Sequence, residues 1–305
     1  MGKTAFIFPG QGAQYCGMGK DFYDTYEIAR EVYGLAEKAT GLNVAELCFT
    51  ENDRLNITEY TQIAMLTTEV AILKVLQQEK GIQADCCAGL SLGEYGALAA
   101  AEVMETEDLF RLIRSRGIYM QEAYPIGGAM TAVLGLDAGT VGEICGRTEG
   151  MVTIANDNCP GQIVITGEQA AVQAAAEKLQ EAGAKRCVPL KVSGPFHSPL
   201  LAGAGEKLAS ELAHVAVKDP VIPYLCNVEA APVTDCSRVK ELLAKQVSSA
   251  VRWRETMERM LAEGVDTFIE IGPGRTLSGF LRKIDRGAVV YNVEKVEDLE
   301  KLLQE

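Results

Sequence analysis

The chain has 305 residues, 48% of them hydrophobic, and a formal net charge of −13, which suits one large domain or two unequal ones around a sizeable core. That acidity argues against nucleic acid as a partner, and an acidic protein partner would need a local basic patch. No apolar run nears the ~20 residues of a membrane span, so no membrane contact is expected, and nine dispersed cysteines read as a reducing cytosol without disulfides or a metal site.

Residues 4–8 read as a first strand, with no room before it for a signal peptide. It runs into Pro9-Gly-Gln-Gly-Ala-Gln14. Gly10 and Gly12 fit the start of a dinucleotide fingerprint, but residue 15 is tyrosine, so a nicotinamide cofactor is rejected. Such a loop can still turn bare N–H groups toward an anion. Residues 18–40 and 59–78 read as amphipathic helices.

Residues 85–90 read as a buried strand, and an alanine-rich helix pattern follows. Between them Gly89-Leu-Ser-Leu-Gly93 matches G-x-S-x-G, the strand–turn–helix elbow of acyl-transferring enzymes. A tight turn pushes the serine toward substrate, and the helix start favours negative charge beside it. The Leu92 N–H is one natural oxyanion donor. The plainer alternative makes Ser91 an ordinary helix cap. Residues 105–122 read as a helix carrying Arg111, Arg114 and Arg116. The first two share a side at 100° per residue, and a helix arginine is ordinarily a solvated charge.

Pro125-Ile-Gly-Gly128 reads as a boundary. Beyond it the pattern is strand 129–135, helix 137–146, strands 151–156 and 162–166 joined by a turn, helix 168–181 and strand 184–190. This is the β-α-β-β-α-β order of ferredoxin-like units. The chain returns through the irregular loop Ser193-Gly-Pro-Phe-His-Ser-Pro199. Helix 199–214, strand 221–226, helices 239–246 and 251–263, strand 266–271, helix 275–285, strand 289–293 and helix 296–303 complete it. The expected class is α/β: a large hydrolase-like domain (1–125 and 193–305) with a mainly parallel sheet, carrying an inserted ferredoxin-like subdomain (126–192). A cleft is expected at their junction.

A serine hydroxyl needs a base, and the chain has two histidines. His214 ends a helix pattern, where it suits the helix C-terminus. His197 sits in the irregular loop, the kind of segment that carries catalytic groups, and the order serine then histidine is that of α/β hydrolases. Asp219, Asp235 and Asp266 all follow, and none is distinguished as a third member.

Several stretches fall in an order that resembles one family throughout the chain. They are Pro9-Gly-Gln-Gly-Ala-Gln14, Gly89-Leu-Ser-Leu-Gly-Glu-Tyr95, Arg116-Gly-Ile-Tyr-Met-Gln121, Ala155-Asn-Asp-Asn-Cys-Pro-Gly-Gln162, Pro195-Phe-His-Ser198, Gln246, Val251-Arg-Trp253 and Glu270-Ile-Gly-Pro-Gly274. Together they resemble the malonyl-CoA:acyl carrier protein transacylases of fatty-acid synthesis. The resemblance implies Ser91 as the acyl-carrying nucleophile, His197 as its base and a main-chain carbonyl at Gln246 orienting the histidine. It implies the N–H groups of Gln11 and Leu92 as the oxyanion hole and Arg116 as partner of the malonate carboxylate, in place of the solvated charge read above. Asn156, Asn158 and Gln162 are candidates for the pantetheine arm of the coenzyme A thioester. Phe196 suggests a small acyl pocket, and Leu90 stands where many members have histidine.

The implied reaction is ping-pong transfer of malonyl from malonyl-CoA to the phosphopantetheine thiol of acyl carrier protein, with no permanently bound cofactor and no metal. A monomer is expected. Lys185, Arg186 and Lys191, with Arg282 and Lys283, are candidates for a basic rim that receives the acidic carrier. A transacylase serving polyketide synthases in trans, and a serine esterase or thioesterase, are the other readings.

Overall fold

The computed structural model describes residues 2–192 and 194–304. Ser193, read above as opening the irregular loop and the second segment of the large domain, lies outside the described residues, as do Met1 and Glu305. The order begins β1 (Lys3–Phe8), α1 (Lys20–Thr25), α2 (Glu27–Thr40), α3 (Val44–Phe49), α4 (Thr58–Lys74), β2 (Cys86–Gly89), α5 (Glu94–Ala100) and α6 (Thr106–Ala123). It continues β3 (Gly128–Leu134), α7 (Ala138–Gly146), β4 (Val152–Cys159), β5 (Gln162–Glu168), α8 (Gln169–Glu181) and β6 (Arg186–Pro189). It closes with α9 (Ala202–Ala213), β7 (Tyr224–Cys226), β8 (Ala231–Val233), α10 (Val239–Gln246), α11 (Trp253–Ala262), β9 (Val265–Ile271), α12 (Thr276–Ile284), β10 (Val289–Val293) and α13 (Val296–Leu302).

One sheet runs β10-β9-β1-β2-β7-β8 and is parallel except where β8 turns back along β7. The apolar run Ala5–Phe8 of β1 is buried on both faces, as a covered parallel sheet requires. On one side Phe6 and Phe8 join the core built on α4; on the other Ala5 and Ile7 pack with Trp253, Phe268 and Leu277. The second sheet is antiparallel in the order β4-β5-β3-β6, the ferredoxin-like arrangement, with its own core around Val133, Ile165, Val172 and Leu179. Strand β4 is tied to the segment before α11 at Val251, whose N–H donates to Ala155 O (2.8 Å) and whose carbonyl accepts from Asp157 N–H (3.0 Å). Arg254 adds an ion pair to Asp157 at 2.9 Å.

Several local expectations change. The helix expected over 18–40 is broken at Tyr26, whose extended backbone (φ −113°, ψ 131°) separates α1 from α2. The helix over 59–78 is not amphipathic: α4 is buried on all sides, and its last turn widens to a π-turn at Val75–Glu79. Its threonines are accommodated by bonding back along the chain, Thr67 to Ile63 O (2.8 Å) and Thr68 to Ala64 O (3.0 Å). Helix α3 was not anticipated, although Asn43 caps it by accepting from Glu46 N–H. Strand β8 was hidden by Pro232, which an edge strand tolerates. The strand over 221–226 shortens to Tyr224–Cys226 behind Pro223. The helix over 199–214 opens with a 3₁₀ turn, and Val251, expected to open the helix over 251–263, lies in an isolated bridge to Asn156 of β4 instead.

The serine turn depends on two close approaches. A Cβ on Gly89 would stand 1.8 Å from Gly93 O, and one on Gly93 would stand 2.2 Å from Phe8 O. Neither neighbour can yield, because both are backbone. Gly89→Ala should therefore lower unfolding free energy by about 3 kcal/mol or more. A denaturant titration checks this, and an unchanged midpoint would contradict it.

Candidate active site

Ser91 sits at the end of β2 with φ +57°, and His197 sits in its loop with φ +60°. Both are non-glycine residues in the left-handed region, a strained conformation on the order of 1–3 kcal/mol each. The turn at Ser91 is held from behind by Asn227, which accepts from Ser91 N–H (2.7 Å) and donates to Gly89 O (2.7 Å). Residue 91's own N–H is thereby occupied.

The hydroxyl Oγ of Ser91 is 2.7 Å from His197 Nε2. The other ring nitrogen, Nδ1, faces two main-chain carbonyls, Gln246 O at 3.0 Å and Ser249 O at 3.1 Å. Carbonyls only accept, so Nδ1 carries the proton and Nε2 is the free acceptor. Arg116 donates to the same Oγ at 3.1 Å, which leaves the hydroxyl to donate toward His197. Burial and the nearby Arg116 cation push His197 down to about 4, against the raising effect of the two carbonyls. The base is thus neutral at pH 7.

Arg116 is 1% exposed. It leaves α6 to donate to Gln62 Oε1 (2.7 Å), Gln246 Oε1 (2.9 Å) and Ser91 Oγ. Its direct partners are therefore neutral, and burial lowers its pKa from the usual guanidinium value. The solvated reading holds for Arg111, which pairs with Glu107 and Asp108 at the surface. It fails for Arg114, which is mostly covered, pairs with Glu59 at 2.7 Å and lies over the Tyr60 ring. His214 ends α9 at the surface, away from this site.

A cavity of about 280 Å³ opens in front of Ser91 and His197; Arg116 is not among its lining residues and reaches it only through its bond to Ser91 Oγ. Gln11, Leu92, Leu90, Phe196, Asn156, Asn158 and Gln162 all line it with Ser91 and His197. Asn156 and Asn158 stand on β4 itself rather than in the expected turn, because two bulges between Ile154 and Cys159 carry the strand further. Asn158 Oδ1 is buried without a hydrogen-bond partner, an acceptor aimed at no protein group. Lys185, Arg186, Lys191, Arg282 and Lys283 are all exposed. Lys283 donates to Gln162 Oε1 at 2.9 Å. Gln162 pairs with Leu134, and Leu134 with Arg186, so Gln162, the partner of Lys283, stands on one row with Arg186 two strands apart, about 10 Å.

Four contributors escaped the sequence reading: Gln62, Glu94, Asn227 and the carbonyl of Ser249. Glu94 lay inside the serine motif and Gln62 was a lone amide among apolar neighbours on α4, which were weak signals. Nothing local marked Asn227 or Ser249. Among the described residues no group of three or more His, Cys, Asp or Glu side chains could hold a metal ion, and no helix is long and apolar enough to cross a membrane.

A family model for the acyl transferase domain matches residues 5–294. A malonyl CoA-acyl carrier protein transacylase of Bacillus subtilis is 43% identical over 309 residues, covering 100% of this chain and 97% of the relative. The crystal structure of MCAT from Streptococcus pneumoniae superposes with a TM-score of 0.95 at 50% identity, covering 99% of each chain. A complex of a type II polyketide synthase acyl-carrier protein with its malonyl-transacylase contains a chain that superposes with a TM-score of 0.96 at 36% identity, again covering 99% of each.

The depressed His197 makes a testable statement about the serine. A neutral sulfonyl fluoride should modify Ser91 at a rate that follows unprotonated His197. That rate should be flat from pH 8 to 6 and half-maximal near pH 4, read by intact mass against time. A midpoint above pH 6 would contradict the assigned environment.

Proposed function

The chain belongs to the acyl transferase family, and on that premise we propose that it moves a malonyl group from malonyl-CoA to the phosphopantetheine thiol of an acyl carrier protein. The observation that carries this is a buried guanidinium bonded to the hydroxyl that His197 activates. An esterase for neutral acyl groups has no use for that cation. A malonyl thioester places its free carboxylate where Arg116 can meet it with two parallel charge-assisted bonds.

Ser91 Oγ attacks the thioester carbonyl as His197 Nε2 takes its proton. The oxyanion forms against the N–H groups of Gln11 and Leu92. Collapse expels the CoA thiolate, which receives the proton from His197. The carrier thiol then gives its proton to His197 and attacks the malonyl-serine ester, and the proton returns to Ser91 Oγ. The Gln246 and Ser249 carbonyls keep the imidazolium oriented in both halves, which supports a dyad without an acidic third member. Asn156, Asn158 and Gln162 flank the pantetheine arm, and Phe196 bounds the acyl pocket. No resident cofactor or metal enters these steps. The enzyme acts as a monomer, in the cytosolic setting that nine unpaired cysteines suit.

The large α/β domain comprises residues 1–125 and 193–305 and the small one 126–192, with the carrier docking across their junction. Lys185, Arg186 and Lys191 on one side and Arg282 and Lys283 on the other form its basic rim. A polyketide carrier is the second reading, favoured by the relative seen with such a protein. Malonyl transfer rates to fatty-acid and polyketide carriers separate the two.

Intact mass after mixing with malonyl-CoA should show one malonyl group, absent in Ser91→Ala. Arg116→Ala should lower kcat/KM for malonyl transfer about 10- to 100-fold more than for acetyl transfer, the worth of a lost charge-assisted bond. Equal losses would refute the carboxylate role. Reversing Lys185 and Arg186 to glutamate should raise the KM for carrier protein about fivefold at low salt and leave malonyl-CoA hydrolysis alone. An unchanged KM would remove the rim.

A further inference from the structure

Arg116 is a buried cation whose direct hydrogen bonds end on neutral oxygens. A buried charge needs compensation. The carboxyl that supplies it lies one amide away. Glu94 is 1% exposed at the start of α5. Its Oε2 accepts from Gln246 Nε2 (2.6 Å) and from Asn227 N–H (3.1 Å). Gln246 Nε2 also donates to Ser91 O (2.9 Å), while its Oε1 accepts from Arg116. A carboxyl oxygen in this position accepts, so Gln246 must turn its NH₂ toward Glu94 and its oxygen toward the guanidinium. Glu94 Oε1, by contrast, is buried with no hydrogen-bond partner, which leaves one oxygen open to a proton.

We propose that Glu94 is the internal counter-ion and positioning residue of Arg116, acting through the Gln246 amide, and that the carboxylate of an incoming acyl group takes over this role, so that loading places a proton on Glu94. The inference rests on the malonyl reading above and deepens it. Two anions facing one buried cation are not equally stable, and Glu94, whose Oε1 has no donor and which meets the cation only through an amide, gives way. Burial already pushes Glu94 up to about 7, against the lowering effects of Gln246, Asn227 and Arg116. The other titratable or charged groups facing it are Arg116 on α6, Tyr224 and Cys226 on β7, and Tyr95 on its own helix. Burial keeps both phenols and the thiol neutral near pH 7. His197, held down to about 4, is neutral there as well.

The proton balance makes this measurable. Malonyl-CoA plus the Ser91 hydroxyl gives malonyl-serine ester plus CoA thiol, with no net proton exchanged near pH 7. Any uptake therefore belongs to the protein. Proton uptake on loading is read with a pH indicator in weak buffer, and loading is confirmed by intact mass. Wild type near pH 7 should take up about half a proton per malonyl group and essentially none per acetyl group. Glu94→Gln, which keeps the acceptor but loses the charge, should load malonyl without that uptake. Malonyl loading with no more uptake than acetyl loading in wild type overturns the inference and leaves the malonyl reading standing. Equal uptake in wild type and Glu94→Gln assigns the proton elsewhere and also overturns it. Absence of any malonyl adduct overturns the malonyl reading and the inference together. If the variant does not fold, the malonyl–acetyl comparison in wild type decides alone.

Discussion

The site depends on one hydrogen bond whose direction is forced from both ends. Ser91 Oγ and His197 Nε2 are 2.7 Å apart although 106 residues separate them in the chain. Two main-chain carbonyls require the proton on Nδ1, and a guanidinium requires Ser91 to accept from it. The hydroxyl therefore donates toward the base before any substrate arrives. Both residues hold left-handed backbone angles, and the surrounding bonds keep them there. The Ser91 turn is held by Asn227 and by glycines that admit backbone at close range.

Gln246 touches both His197 and Arg116. Its main-chain oxygen accepts from the imidazole Nδ1–H, and its side-chain oxygen accepts from the guanidinium. A neutral amide suits this position. A carboxylate there would pair with Arg116 directly; instead the guanidinium meets the amide oxygen, and the carboxyl of Glu94 lies one amide further back. The low dielectric of the site strengthens each of these interactions, and it also holds His197 neutral without an aspartate behind it.

Much of the architecture was legible because it is written in local pattern. The β-α-β-β-α-β unit, the alternation of strands and helices around it and the serine elbow each rest on periodicity or on glycines at fixed offsets. Other elements were hidden for definite reasons. Helix α4 carries threonines and a glutamine that look like a polar face, yet Thr67 and Thr68 bond back to the backbone and Gln62 accepts from Arg116 inside the core. Pro232 disguised an edge strand. The β4 bulges turned an apparent asparagine turn into strand, and so moved Asn156 and Asn158 onto a rigid element beside the cavity.

What the sequence by itself determined is which groups are present: one elbow serine, one loop histidine fit to serve it, and an ordered set of motifs sufficient to point to the family. Helix spacing alone could not decide which of three helix arginines is buried, because angle along a helix says nothing about what packs against each side; only the family resemblance singled out Arg116. The tertiary structure decided that Arg116 enters the core while Arg114 pairs with Glu59 and Arg111 stays in water. It also recruited Glu94, Asn227, Gln62 and the Ser249 carbonyl. Hydrogen-bond partners of this kind are chosen by distances between elements that are remote along the chain, and no local spacing encodes them.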